Sequence, residues 1–111
     1  MTKRIAVGRI ADIPARGARV VQTPLGPVAL FRTSDGQLFA LVNRCPHKGG
    51  PLSEGIVHGH KVTCPLHNWV IDLASGKADA PDIGCTPTVP VAVVEGVVHL
   101  DLSMADAACH G

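Results

Sequence analysis

The chain is poor in aromatic side chains: its 111 residues include two Phe, one Trp and no Tyr. Hydrophobic residues still make up 46% of it. A core must therefore be built from Val, Ile, Leu and Ala, and residues 1–111 are enough for one domain around one such core. An excess of charge of either sign is also missing. Ten basic and nine acidic side chains leave a formal charge of +1, scattered along the chain. Without a basic stripe or polybasic cluster, neither a nucleic-acid nor a membrane partner is expected. Long apolar runs are absent as well. No segment approaches the ~18 apolar residues of a membrane span. The opening MTKRIAVGRIADIPARG is interrupted by Gly8, Arg9 and Asp12, unlike the apolar stretch of a secretory signal. The expectation is a soluble, cytoplasmic protein. In that compartment four cysteines point to metal or redox chemistry rather than structural disulfides.

Nine Pro and twelve Gly leave little room for a long helix. What is present is a series of short apolar runs rich in β-branched residues and bounded by turn signals. Strands are predicted over residues 4–8, 19–22, 28–32, 38–43, 61–64, 70–73, 89–94 and 97–102. Asp35-Gly36, Ser75-Gly76 and Glu95-Gly96 read as hairpin-type turns between them. Only ADIPARG and the tail SMADAACHG could hold a short helical turn. The pattern predicts an all-β sandwich or barrel. Residues 44–80 read as an insertion in that scaffold, with a small hairpin of their own formed by 61–64 and 70–73. Residues 103–111 read as a flexible tail.

The insertion holds the chemistry. Residues 45–67 read CPHKGGPLSEGIVHGHKVTCPLH, so a Cys and a His sit together at each end, Cys45-x-His47 and Cys64-x-x-His67, with 16 residues between the pairs. Chance proximity is a poor explanation for two mixed pairs, each with Pro directly after its Cys. A tetrahedral zinc site is a second reading, but zinc fingers group both Cys in one pair and both His in the other. The third reading is a [2Fe–2S] cluster with mixed ligands. Two loops meeting at a cluster can each give a Cys to the inner iron and a His to the outer one. Thiolates hold ferric iron strongly, while neutral imidazoles leave the cluster less negative and easier to reduce. This reading accounts for the pairing that the other two leave unexplained.

Cys-x-His and Cys-x-x-His with Pro46, Gly49 and Pro65 resemble the signature of the Rieske iron–sulfur family, and the surrounding strands resemble its fold. The longer strings CPHKGGPLSEGIVHG, CPLHNW, SGKADAPDIGC and VEGVVHLDL resemble the small subunit of assimilatory NAD(P)H-dependent nitrite reductase. That likeness covers roughly residues 4–102. It implies a Rieske-type fold with an inserted cluster-binding subdomain of two ligand loops. It also implies one [2Fe–2S] cluster held by Cys45, His47, Cys64 and His67, and an electron-transfer role. The partner implied is a large nitrite reductase subunit carrying flavin, a further iron–sulfur cluster and sirohaem, where nitrite becomes ammonia. The chain has no Rossmann glycine fingerprint and no independent catalytic site is expected on it. Small Rieske ferredoxins of ring-hydroxylating dioxygenases resemble it too, so delivery of electrons to an oxygenase stays open, as does a zinc-binding module.

Departures from the respiratory Rieske pattern carry information. Proteins of that kind have an extra Cys in each loop, joined as a disulfide; Gly50 and Leu66 stand at the matching positions. Their Ser and Tyr after the last His, which hydrogen-bond to sulfur, are matched by Trp69 and Ile71, which have no hydroxyl. Fewer such bonds lower the potential. Gly49 and Gly50 would let backbone N–H groups approach the sulfides, and Trp69 is expected to pack under the second loop. Lys48 and Glu54 flank the expected cluster tip. His58 and His60 read as solvated turn residues and His99 as structural. Pro81 marks a segment expected to fold over the cluster. Cys85 reads as a buried small hydrophobe, and Cys109 and His110 belong to the tail.

Overall fold

The run GPVALFR shows why this chain folds as it does. It forms strand β3 (Gly26–Arg32), in which four successive residues, Val28 to Phe31, are buried. A strand buried on both faces needs a cover on each side. The computed structural model, which describes residues 4–24, 26–44, 51–65, 68–79 and 84–102, supplies both covers.

The middle layer is an antiparallel sheet. Strand β3 pairs on one side with β2 (Gly17–Thr23) and on the other with β4 (Leu38–Val42), which pairs in turn with the short β8 (Thr88–Val89). Against one face lies the sheet of β1 (Arg4–Arg9), β10 (Val97–Asp101) and β9 (Val91–Val94), in that order. Val28, Leu30, Ala40 and Val89 meet Val98, Leu100 and Leu102 there, with Ile5, Val7 and Val91 at the margin. Against the other face lies a small sheet of β5 (Ile56–His58), β6 (Lys61–Thr63) and β7 (Val70–Asp72). Ala29, Phe31 and Leu41 there meet Val57, Val62, Ile71 and Leu73. Side chains alternate between the faces of a strand, so odd and even positions of β3 serve different cores. The single core expected from composition is thus two apolar clusters separated by the middle sheet.

The expected all-β class holds, and the hairpin between residues 61–64 and 70–73 forms in register, with Val62 opposite Ile71. Three details differ. The expected strand 89–94 is divided at Pro90. Without an N–H, proline cannot continue the ladder with β4, and the chain passes from the middle sheet to β10. Its carbonyl accepts from Asp101 N–H at 3.0 Å. Strand β5 was not predicted, because three residues between Gly55 and Gly59 read as loop. The helical turn expected in ADIPARG is a 3₁₀ turn shifted to Ile10–Asp12. The tail SMADAACHG lies outside the described residues.

Of the expected turns, Glu95-Gly96 joins β9 to β10 with both residues at positive φ, 51° and 78°, as a tight hairpin turn requires. Asp35-Gly36 joins β3 to β4. Gly76 does something different: with φ at 75°, it turns the chain after β7 toward residues 77–78, which bridge to Cys85 and Ile71. A Cβ on Gly76 would lie 2.1 Å from the Thr86 carbonyl oxygen, whereas one on Gly36 (φ 83°) would meet nothing within 4 Å. Gly36→Ala should therefore cost only the left-handed strain of about 1–2 kcal/mol. Gly76→Ala should cost clearly more. Urea denaturation of the two variants checks the order; equal losses would refute the close approach.

Candidate metal centre

Three chain segments converge where β4 ends, and each is tied down by hydrogen bonds. The first leaves β4 through Asn43 and Arg44. Val42 N–H donates to the Pro87 carbonyl at 3.0 Å, Asn43 N–H to the Pro27 carbonyl at 2.9 Å and Arg44 N–H to the Val42 carbonyl at 2.7 Å. On the far side of residues 45–50 the chain re-enters at Pro51 and makes a 3₁₀ turn, Leu52–Glu54. Ser53 N–H donates to Asn43 Oδ1 at 2.8 Å, which joins the two ends. Leu52 is fully buried in the same apolar cluster as Phe31 and Cys64.

The second segment is the β6–β7 turn. Cys64 N–H donates to the Trp69 carbonyl at 2.7 Å, closing the turn at its base. Asn68 takes up the left-handed conformation, φ 58°, which Asn tolerates better than most residues. Gly55 lets β6 pass close by, since a Cβ there would sit 2.3 Å from the Thr63 carbonyl oxygen. The third segment returns from Gly84 to Pro87. Buried Thr86 donates its hydroxyl to the Val42 carbonyl at 3.2 Å and its N–H to the Gly76 carbonyl at 2.8 Å. Before it, Asp79 N–H donates to the Val70 carbonyl and Ala78 N–H to the Gly84 carbonyl, both at 2.8 Å.

An ion pair and a histidine–carboxylate hydrogen bond brace this arrangement. Lys61 Nζ lies 2.5 Å from Asp79 Oδ2, and that hydrogen bond raises the Lys61 pKa. His60 Nε2 lies 2.9 Å from Asp35 Oδ2, linking the β5–β6 turn to the β3–β4 turn. The His60 ring also rests on Phe39, with centroids 5.3 Å apart. The Thr33 hydroxyl donates to the other Asp35 oxygen. That bond, followed by the one to His60, lowers the Asp35 pKa from 3.8 to about 2.

Of the four expected ligands, Cys64 is described and fully buried, with Leu52, Val62 and Ile71 in its cluster and Trp69 packed against it. Cys45, His47 and His67 lie outside the described residues, as do Lys48, Gly49, Gly50, Leu66, Pro81, Cys109 and His110. A soft thiolate in an apolar, water-excluding setting suits iron–sulfur ligation. Trp69 is half-buried against the cluster that includes Cys64, as expected. His60 is not the merely solvated turn residue it was taken for, because it ties two sheets together; Asp35 is 25 residues away and no local pattern pairs them. Its neighbour His58, exposed as expected, shares a 2.7 Å hydrogen bond with the Thr63 hydroxyl. Cys85 also differs from expectation: it is half-buried rather than buried. Asn43 and Thr86 were not singled out from the sequence, since their partners are distant in the chain.

Cys64, buried at the base of a Pro-bounded hairpin turn on a three-layer β scaffold, is the described part of the expected centre. Residues 3–90 match the model of the Rieske [2Fe-2S] domain, and the chain belongs to that family. It is accordingly an electron-transfer protein with a Rieske-type [2Fe–2S] cluster, of the kind that works beside other redox proteins in oxidoreductase systems. It is 36% identical over 103 residues to the 3-phenylpropionate/cinnamic acid dioxygenase ferredoxin subunit of Photorhabdus laumondii, covering 90% of this chain and 95% of that one. The ferredoxin of Sphingomonas yanoikuyae B1 superposes with a TM-score of 0.80 at 27% identity, covering 89% of this chain and 98% of that one. A chain from Mycobacterium tuberculosis, provisionally assigned as an NADH-dependent nitrite reductase small subunit, superposes with a TM-score of 0.81 at 25% identity, covering 90% and 95%. The chain spans only 25% of the length of another relative, the 4beta-methylsterol monooxygenase of Methylococcus capsulatus, at 36% identity over 93 residues. Among the described residues no helix is long and apolar enough to cross a membrane.

The Asp35 pairings generate a pH test. A carboxylate whose folded pKa is depressed stabilises the fold above its unfolded value, and that contribution is lost as pH falls through the folded value. Asp35 should thus contribute to acid unfolding between pH 3.8 and about 2. In thermal melts across that window, Asp35→Asn should lose stability less steeply than wild type. Parallel curves would contradict the pairing.

Proposed function

We propose that Cys45, His47, Cys64 and His67 hold the cluster, the two Cys on the inner iron and the two His on the outer. We further propose that the chain is the small subunit of an NAD(P)H-dependent nitrite reductase of nitrogen assimilation. Its partner would be a large subunit bearing flavin, a further iron–sulfur cluster and sirohaem. When bound, a [2Fe–2S] cluster takes up and passes on single electrons. The chain's own residues present Cys64 in a dry pocket and hold the roots of the ligand loops in place.

The observation that carries this reading is the return segment. The string SGKADAPDIGC, residues 75–85, resembles the nitrite reductase subunit, and its two ends are held by the Gly76–Thr86 and Ala78–Gly84 hydrogen bonds beside the Cys64 turn. The likeness to the Mycobacterium tuberculosis chain supports the same reading. The neighbourhood of Cys64 bears on the potential. Ile71 is fully buried in the apolar cluster and Trp69 packs against it, so neither residue brings a hydroxyl toward sulfur. A potential of about −150 mV, at the low end of the Rieske range, follows. A second reading, a ferredoxin supplying a ring-hydroxylating dioxygenase, is favoured by the 36% identity to the Photorhabdus laumondii subunit over 95% of its length.

Anaerobically purified protein should contain iron and acid-labile sulfide in equal amounts; a colourless, zinc-loaded product would overturn the cluster assignment. His67→Cys should retain iron and lower the potential, because an anionic ligand replaces a neutral one; an unchanged potential would remove His67 from the ligand set. Affinity capture of the protein from its own cells should bring down a sirohaem protein. Recovery of an oxygenase instead would favour the second reading.

A further inference from the structure

Asn43 stands two residues before Cys45 and has no part in the ligand set. Its side chain is nevertheless the one described link across the first loop, from the residue after β4 to the 3₁₀ turn at Leu52–Glu54. The Oδ1 atom accepts from Ser53 N–H at 2.8 Å, over a separation of ten residues. On its own side Asn43 cannot drift, since its N–H is held by the Pro27 carbonyl at 2.9 Å. Its neighbour Val42 is fixed through both backbone groups, the N–H to the Pro87 carbonyl and the carbonyl to the Thr86 hydroxyl. On the far side, Ser53 follows fully buried Leu52, which is anchored in the apolar cluster that contains Cys64. The Asn43–Ser53 bond therefore joins the end of the middle sheet to the 3₁₀ turn that follows the first loop.

We infer that Asn43 is a positioning residue that closes the root of the first cluster loop and thereby governs how tightly the cluster is retained. This inference rests on the proposed ligation by Cys45 and His47. The reasoning is one of chain entropy. Fixing the two ends of a loop lowers the number of arrangements in which its ligands point away from the iron. Removing the acceptor also leaves Ser53 N–H without its carboxamide partner, at the cost of a part-buried hydrogen bond.

The test compares wild type, Asn43→Ala, Asn43→Asp and Ser53→Ala as full-length holoproteins. Each is challenged with an iron chelator while the visible absorbance of the cluster is followed, and the EPR spectrum of the reduced form is recorded. Asn43→Ala should release iron about tenfold faster, the kinetic equivalent of one lost hydrogen bond, with a broadened EPR signal from a less uniform loop. Asn43→Asp keeps an acceptor and should restore wild-type retention. Ser53→Ala keeps the N–H donor and should behave as wild type. Val98→Ala, in the cluster on the opposite face of the middle sheet, lowers global stability and should speed iron release less than Asn43→Ala does; an equal or larger effect would overturn the inference. Equal release from Asn43→Ala and wild type, or failure of Asp to rescue, would overturn the inference. A wild-type protein with no iron and sulfide would instead refute the ligand assignment beneath it.

Discussion

The architecture depends on the burial of the middle sheet on both faces. Phe31 and Leu41 point into one apolar cluster, Val28 and Leu30 into the other, and all four are essentially inaccessible to solvent. Each such side chain stabilises the fold by about 1.5–3 kcal/mol on burial. The small sheet that carries Cys64 is therefore a second cover on a strand pair that the outer sheet has already made rigid, and its position follows from the side-chain alternation of β3 and β4. A metal centre built on such a layer inherits that rigidity.

Above this scaffold, the site region is organised by hydrogen bonds that close its turns and tie them to the middle sheet. Thr86 holds the end of β4, Trp69 closes the turn after Cys64, and Asn43 bridges to Ser53. The Lys61–Asp79 ion pair and the His60–Asp35 hydrogen bond are both exposed enough that each contributes only modestly. Their value is geometric. One holds the approach to residues 80–83 and the other fastens the small sheet to the β3–β4 turn.

Much of this was legible in the sequence, for identifiable reasons. β-Branched runs bounded by Gly, Asp and Pro marked the longer strands because burial and turn chemistry act locally. The Cys and His pairs marked the family because few other chemistries need that mixture. Strand β5 escaped because three residues between glycines carry no period, and Ile56 within it is 70% exposed. The break at Pro90 is masked in the sequence by the apolar residues on both sides of it, Val89 and Val91. Asn43, His60 and Thr86 were beyond local reading, since each acts through a partner that only the fold brings near. Cys85, expected as a buried apolar side chain, is only half-buried, because it lies on the return segment at the margin of the small sheet.

The proposed ligation is asymmetric, sulfur on one iron and imidazole nitrogen on the other. Electron–nuclear double resonance of the reduced protein, prepared with nitrogen-labelled histidine, addresses it most directly. Couplings from two distinct histidine nitrogens are predicted, one disappearing on substitution of His47 and the other on substitution of His67. A spectrum without histidine nitrogen couplings, or couplings that survive both substitutions, would contradict it.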